Sequence, residues 1–374
     1  MNSFQTNRRV FLGAGAAAVL LPSCATLPPP TPRQLTWEKL PTEPYTGKQD
    51  DIAFANTSRG WFGNSKGLLY RTDDAGNSWI RVWKQPGTFV RALGFLDERH
   101  GILGNVGVGS FPGVTDETPL YHTADAGESW TAARIDGPIP KGICAIDIAL
   151  AGFIDRGERA ERTIAHAAGR VGGPAHYLRS ADGGRSWRSS DLTRQTAAIF
   201  DVKFLGPRVG FIAGTSDADL AQTRGLILRT EDGGDTWEEV FRSARTVETV
   251  WKLHFPDNRT GYGTIQSYDP DPANMQRFVV KTTDGGRSWF ELPLIADTKW
   301  RSFGIGFADE ATGWVGGNLG GLETRDGGLT WAAVEMGTRA RLAAAVECAG
   351  HPHFRGYRSG QANTRPHGYG PADP

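Results

Sequence analysis

The stretch Thr-Thr-Asp-Gly-Gly-Arg-Ser-Trp, residues 282–289, decides the fold, because its pattern returns five more times along the chain. Every copy has Thr or Ser, Asp, Gly, then Ser or Thr at alternate positions, and ends on Trp. The copies begin at Thr72, Thr123, Ser180, Thr230, Thr282 and Thr324. Six matches with one internal spacing indicate a repeat protein, so the repeat has to be placed before domains are counted.

Each position of this repeat, an Asp box, has a mechanical role in a turn. The Asp carboxylate and the hydroxyls bond to the turn backbone, Gly permits a positive φ, and Trp is large enough to wedge between neighbouring sheets. We therefore interpret the six aspartates as structural turn residues rather than as metal ligands or catalytic acids. They are Asp74, Asp125, Asp182, Asp232, Asp284 and Asp326.

The distance between boxes indicates the architecture. The box tryptophans stand at positions 79, 130, 187, 237, 289 and 331, a period of roughly 50 residues that is typical of four-stranded propeller blades. Ahead of each box lie an alternating apolar strand, a polar turn and a second apolar strand, as in residues 52–63 and 305–316. Each repeat thus predicts strands A, B and C, the box, and strand D. The 49 glycines and 12 tryptophans suit such an all-β chain.

Two segments do not complete a blade by themselves. Residues 35–40 have the pattern of a D strand without a box, and residues 342–357 have that of inner strands without a D strand. Pairing the N-terminal strand with the C-terminal strands makes a seventh blade and removes the free sheet edges. The sequence therefore predicts a seven-bladed β-propeller over residues 35–357, closed across the termini, with a flexible tail at 358–374.

The N-terminal residues indicate export. Residues 1–25 resemble a twin-arginine signal peptide, with Arg8 and Arg9 ahead of an apolar run too short to span a bilayer. This predicts a periplasmic protein. Residues 21–24 resemble a lipoprotein processing site that would attach lipid to Cys24, although proline at its second position departs from the usual pattern; cleavage after Ala25 is the alternative. The Pro-rich residues 26–34 predict an extended tether.

The charge balance limits the classes of binding partner, and the cysteine content limits the possible disulfide bonds. The 41 basic and 41 acidic side chains balance, so no whole-molecule field favours nucleic acid, and membrane contact is expected only through a lipid anchor. If Cys24 is lipidated or removed, Cys144 and Cys348 are left. An oxidising compartment permits a disulfide between them, and two buried free thiols are the alternative.

The connections predict one recognition face. In a four-stranded blade the A–B and C–D turns emerge on one face, which carries the boxes, and the B–C and D–A loops emerge on the other, which we call the loop face. Four irregular insertions are expected in or close to B–C connections, so the loop face is the candidate surface. The insertions cover residues 107–119, 155–174, 216–224 and 268–277.

At the channel mouth on the loop face, the starts of the A strands predict a partly basic, partly aromatic rim. Such a rim suits a carboxylate, a phosphate or an acidic peptide. We expect no metal and no cofactor: the acidic pairs Asp217 with Asp219 and Asp269 with Asp271 lack further calcium ligands, and His351 and His353 lack a third ligand. The predicted partner-binding residues are Arg91, Phe200, Trp251, Arg301 and Arg341, with Cys144 at an equivalent point.

Three features of the sequence resemble the photosystem II stability and assembly factor family of cyanobacteria and chloroplasts. They are the boxes, the Gly-Trp-Val-Gly strand at 313–316 and the Thr-x-Asp-Gly-Gly-x-Ser-Trp pattern of the later copies. The resemblance covers about residues 35–357. It implies a non-enzymatic seven-bladed propeller with a protein partner, important arginines on one face, and a role in assembling a membrane complex. Arg91, Arg301 and Arg341 are the counterparts that it implies. We expect a monomer.

Two other function classes share these repeats. Sialidases carry Asp boxes and need three arginines, an acid Asp and a Tyr nucleophile activated by Glu. Tyr262 and Glu248 form a nominal pair, but the first blade lacks an Arg-Ile-Pro element. A carbohydrate- or peptide-binding module of the envelope is the third class. The sequence favours an exported, non-enzymatic propeller that binds a protein and assembles or stabilises an envelope or membrane complex.

Overall fold

The computed structural model describes residues 41–45, 47–155, 158–334, 341–342 and 358–359. All of them belong to the unit Trp37–Pro374. They form strands and turns, together with one short 3₁₀ helix, Pro272–Asn274. Within these residues no helix has the length and hydropathy needed to cross a lipid bilayer.

The strands group into six four-stranded blades, one of which has an additional strand. The first three blades comprise β1 (Asp51–Phe54), β2 (Gly60–Gly63), β3 (Leu68–Thr72), β4 (Ile80–Lys84), β5 (Val90–Phe95), β6 (Gly101–Asn105), β7 (Leu120–Thr123), β8 (Thr131–Ala132), β9 (Arg134–Asp136), β10 (Ala145–Asp155), β11 (Glu158–Gly169), β12 (His176–Ser180) and β13 (Ser186–Asp191). The next three comprise β14 (Ala198–Phe204), β15 (Gly210–Thr215), β16 (Gly225–Thr230), β17 (Glu238–Arg242), β18 (Glu248–His254), β19 (Gly261–Ser267), β20 (Gln276–Thr282), β21 (Phe290–Ala296), β22 (Ser302–Phe307), β23 (Gly313–Gly317), β24 (Gly320–Thr324) and β25 (Ala332–Val334).

Each blade is an antiparallel meander in the order A, B, C, D, with the box between C and D. The A strands of successive blades contact each other, from β1 through β5, β10, β14 and β18 to β22. This arrangement sets the A strands around a common axis and the D strands outside. The prediction of an all-β propeller built on Asp boxes is confirmed.

A two-stranded fragment follows the sixth blade. β26 (Arg341–Leu342) pairs antiparallel with β27 (Arg358–Ser359), and β26 contacts β22, β23 and β24. The D strand expected at 35–40 and most of the stretch 342–357 lie outside the described residues, so ring closure stays a prediction. The signal peptide, Cys24, the tether and the tail from residue 360 also lie outside them, whereas Arg358 and Ser359, at the start of the expected tail, form β27.

Blade 3 departs from the sequence prediction. β10 and β11 pair without interruption from Ala145 with Ala168 to Asp155 with Glu158. The insertion expected at 155–174 near a B–C connection is therefore wrong for most of its length: it forms the long A–B hairpin on the box face, and only residues 170–174 lie in the B–C connection. The charged residues at 158–162, which resemble a loop in sequence, continue a strand.

The boxes are hydrogen-bonded alike in all six blades. The Asp carboxylate accepts the opening hydroxyl at 2.7 to 2.8 Å and the hydroxyl before Trp at 2.5 to 2.6 Å. In the box at 282–289, Trp289 Nε1 donates to the Gly286 carbonyl at 3.2 Å. The hydroxyl and amide of Ser78, followed by the hydroxyl of Thr72, lower the pKa of Asp74 to about 2. Each carboxylate is thus occupied by its own turn.

The box of one blade also packs on the B strand of the preceding blade. Gly286 has a φ of 75°, and a Cβ placed there would lie 2.1 Å from the ring of Phe211 in blade 4. Between blades 1 and 2, Trp61 Nε1 donates to the Ala126 carbonyl at 2.8 Å. Glycine is therefore required at position 286 for two reasons, the backbone conformation and the close contact between blades.

Candidate functional site

The inner strands of four blades each contain a β-bulge near the loop face. The register shifts between Val90 and Ala92 in β5, and the same irregularity occurs in β14, β18 and β22. A bulge adds a residue and re-aims its side chain. The residues at these bulges include Arg91, Phe200, Trp251 and Phe303.

These four side chains pack together at the channel mouth. The ring of Phe200 stacks on Trp251 with centroids 4.7 Å apart, and Phe303 meets Trp251 edge-on at 6.2 Å. The Arg91 guanidinium carbon lies 6.0 Å from the Trp251 ring centroid, and Arg91 Nε lies 3.5 Å from Asp50 Oδ2. We call this group, Arg91, Phe200, Trp251 and Phe303, the mouth cluster.

Three members of the mouth cluster are buried, whereas the sequence predicts that they form a binding rim. Arg91, Phe200 and Trp251 are 5%, 4% and 8% exposed. The space left beside Arg91 and Trp251 is about 10 Å³, which holds about one water. The structure thus brings three of the five predicted rim residues together as a packed plug, and their contact with a partner stays a prediction.

Arg301 lies just before β22, and Phe303 takes the bulge in that strand. Arg301 Nη1 donates to the carbonyls of Thr298 and Trp300 at 2.7 and 3.0 Å, and its guanidinium lies over the Tyr268 ring at 5.4 Å. Burial lowers the pKa of Arg301. The side chain of Arg341 lies outside the described residues.

Deeper in the channel, a row of acidic side chains joins the blades, a feature that the sequence prediction missed. Each carboxylate accepts a backbone amide from the inner strand of the next blade. Asp51, Asp147 and Asp201 accept the amides of Leu93, Phe204 and Leu253 at 2.7, 2.8 and 2.9 Å. Lys203 Nζ and Lys252 Nζ pair with Asp147 and Asp201 at 3.0 and 3.2 Å. The available signal was an Asp within the apolar A strands of blades 1, 3 and 4.

Two buried arginines shape the loop face. Arg277, 2% exposed, donates to the carbonyls of Asn274, Asp269 and Thr298, each at 2.9 Å. Arg170, 8% exposed, donates to the Val108 and Gly173 carbonyls. Across the described part of the chain, neither guanidinium has a carboxylate within 4.0 Å. Burial lowers the pKa of both, and each guanidinium holds its loop through backbone carbonyls.

Above these arginines the loop face exposes large apolar side chains. They come from three B–C connections and one D–A connection. They are Val108, Ile139, Met275 and Leu319, at 41%, 68%, 45% and 57% exposure. They come from four separate connections, and single exposed apolar side chains are ordinary whereas a contiguous patch marks an interaction surface.

The acidic loop pairs bond to their own backbone. Asp217 Oδ1 accepts the amide of Asp219 at 2.8 Å, and Asp269 Oδ1 accepts that of Asp271 at 2.9 Å. The described residues contain no group of three or more His, Cys, Asp or Glu side chains placed to hold a metal ion. Both His351 and His353 lie outside them.

Cys144 is a buried free thiol, and its sulfur accepts the amide of Val171 at 3.3 Å. Cys348 lies outside the described residues. Of the two alternatives for these cysteines, the structure therefore has the free thiol at Cys144.

The residues of the nominal sialidase pair lie at opposite ends of blade 5. Tyr262 is opposite His254 in the sheet, whereas Glu248 is opposite Ser267. The Tyr262 hydroxyl donates to the Glu310 carbonyl at 2.7 Å, and burial raises its pKa. Glu248 accepts Arg245 Nε at 2.7 Å. The geometry thus does not place a base beside a Tyr nucleophile.

Comparison with curated proteins gives a photosystem II assembly protein as a relative. The chain is 25% identical to the photosystem II assembly lipoprotein Ycf48 of Synechococcus sp. (strain CC9902) over 283 residues, which are 66% of this chain and 75% of that protein. No family model matches.

Solved structures share the propeller. The structure "YCF48 bound to D1 peptide" has a TM-score of 0.58 at 18% identity, covering 87% of this chain and 93% of that one. The WD40 β-propeller domain of Doa1 has a TM-score of 0.52 at 12% identity, covering 83% and 90%. The similarity to the photosystem II stability and assembly factor family is confirmed, and with it the propeller fold.

Proposed function

We propose that this chain is an exported, non-enzymatic β-propeller that binds a protein through its loop face and helps assemble or stabilise a membrane or envelope complex. The observation that carries the proposal is the pairing of exposed apolar side chains with arginine-braced loops on one face. The braced loops are pre-organised, which lowers the entropy lost on binding.

The relatives support a protein partner. The sequence relative is named an assembly lipoprotein, and a structural relative was solved with a bound D1 peptide. The partly exposed Arg301 suits a partner segment that carries an acidic residue among apolar ones, because guanidinium groups bind carboxylates strongly. The buried mouth cluster supports the face from below.

Affinity capture from solubilised envelope tests this proposal. The wild type is compared with a loop-face variant that combines Ile139→Ser and Leu319→Ser, and with Leu329→Ser as the control, since Leu329 is 64% exposed but lies in the box of blade 6. We expect a specific set of proteins that the loop-face variant loses and the control keeps. Equal capture by all three proteins would show that the loop face is not the docking surface.

Export and lipid attachment are separate parts of the proposal. Replacing Arg8 and Arg9 together by Lys is expected to leave the protein in the cytoplasm, because the twin-arginine route reads that pair. Cys24→Ala is expected to release an otherwise anchored protein into the soluble periplasmic fraction. A periplasmic twin-lysine variant would refute the export route, and an unchanged distribution of Cys24→Ala would refute the anchor.

A further inference from the structure

A cleft of about 450 Å³ opens on the box face between blades 3 and 4, away from the loop face. Its volume falls within the range of small-molecule sites. One wall carries Arg134, Arg179 and Arg188, and the other includes Pro207 and Gly233 of blade 4. Nothing in the proposed function uses this cleft.

Strand register places the cationic side chains in a row. Arg179 of β12 is directly opposite Arg188 of β13, and Arg188 is in turn opposite Asp136 of β9. Residues directly opposite one another share a face of the sheet with Cβ atoms about 5 Å apart. Like charges in that position destabilise a sheet, and here Asp235 balances Arg179 while Arg188 lies between Arg179 and Asp136.

Two of these arginines have all their donors available. Arg179 is engaged, since it lies 2.9 Å from Asp235 Oδ1 and donates to the Gly233 carbonyl. Arg134 and Arg188 are exposed, and within the described residues their side chains make no hydrogen bond or ion pair. Their parallel strands, β9 and β13, hold them on one surface.

The lining charges set the valence of the ligand. The three arginines face Asp136 and Asp232, and the Asp232 carboxylate is occupied by the hydroxyls of Thr236 and Thr230. The floor residue His166 is neutral near pH 7, because burial lowers its pKa to about 4. Asp235 pairs with Arg179, which leaves Arg134 and Arg188 as the cationic donors for one carboxylate, beside apolar surface at Ile164 and Pro207.

We propose that this cleft binds an organic monocarboxylate, whose oxygens accept the guanidinium donors of Arg134 and Arg188 while its apolar part lies against Ile164 and Pro207. The carboxylate comes from a free acid or from the C terminus of a peptide. The volume exceeds what an inorganic anion fills, and the two aspartates oppose a polyanion.

Calorimetric titration of the full chain tests the proposal with defined probes. They are 3-phenylpropionate, the peptide N-acetyl-Gly-Phe with a free C terminus, the amide of each, and inorganic phosphate. We expect saturable binding of at least one acid, with its amide and phosphate at least about tenfold weaker, because a charged hydrogen bond is lost. The acid that binds more tightly shows whether the carboxylate comes from a free acid or from the C terminus of a peptide.

Variants assign the binding to the arginines. Arg188→Gln and Arg134→Gln are each expected to weaken the affinity for the acid at least about tenfold. Arg194 is an exposed arginine of blade 3 outside the cleft, so Arg194→Gln is expected to leave that affinity unchanged. Without ligand, Arg188→Gln should melt close to the wild type, because the residue is exposed and its repulsion from Arg179 offsets its attraction to Asp136. No saturable binding of either acid, equal binding of acid and amide, or unchanged affinity in both variants would overturn the proposal.

Discussion

The guanidinium carbon of Arg91 lies 6.0 Å from the ring centroid of Trp251, although the two residues belong to blades 2 and 5. These blades are not neighbours, so they meet only where the inner strands converge on the axis. Phe200 of blade 4 stacks on the same indole. With Phe303 of blade 6, the mouth cluster therefore ties four blades together, and its first role is to hold the ring beneath the loop face.

Trp251→Ala is expected to lower the free energy of unfolding by about 3–5 kcal/mol, as for a large buried aromatic. In a double-mutant cycle with Arg91→Ala, the pair should show a coupling of about 0.5–2 kcal/mol. Denaturant titration followed by circular dichroism measures both quantities. Strictly additive effects would show that the two side chains do not interact.

Gly286→Ala is expected to destabilise the chain more than Gly183→Ala. Both glycines have a positive φ, but a Cβ at Gly286 meets the Phe211 ring at 2.1 Å, whereas one at Gly183 has nothing within 4 Å. The strained backbone alone costs about 1 kcal/mol, and overpacking adds about 1–3 kcal/mol at Gly286. Equal losses in denaturant titrations would contradict the packing between blades 4 and 5.

Stability should fall between pH 6.5 and pH 4 through His166 and His254. Burial lowers the pKa of each from 6.5 to about 4. The unfolded chain therefore binds protons that the folded chain does not, and stability present above pH 6.5 is lost as pH falls toward 4. Each histidine contributes up to about 3 kcal/mol.

Free energies of unfolding at pH 7.5 and pH 4.5 measure this effect, and His254→Gln should flatten the difference. The Asp-box carboxylates act in a separate window. Because the folded-state pKa of Asp74 is about 2 against an ordinary 3.8, its contribution is complete above pH 4 and lost only as pH falls to about 2. A wild type with equal stability at pH 7.5 and 4.5 would refute the role of the histidines.

The blades were predictable because the Asp box is a local structure. Asp284, Gly286 and Trp289 each have a role that follows from the eight residues around them. The A–B hairpin of blade 3 was missed because the charged residues at 158–162 continue a strand without the apolar alternation that predicts one.

The channel mouth was predicted only in part, for a reason of register. A β-bulge changes which side chain faces the axis, and nothing in a single strand reports it, so Phe303 rather than Arg301 takes that place in blade 6. The cleft between blades 3 and 4 depends on the parallel pairing of β9 with β13. The local sequence patterns of these two segments do not predict that they pair.

Site-specific photo-crosslinking tests the central claim, that the loop face is the docking surface, most directly. A photoreactive residue is placed at Leu319 on the loop face or at Leu329 in a box, two exposed leucines of blade 6 at 57% and 64% exposure. The account predicts that Leu319 crosslinks one defined protein in the envelope and that Leu329 does not. A crosslink to that protein from Leu329, with none from Leu319, would contradict it.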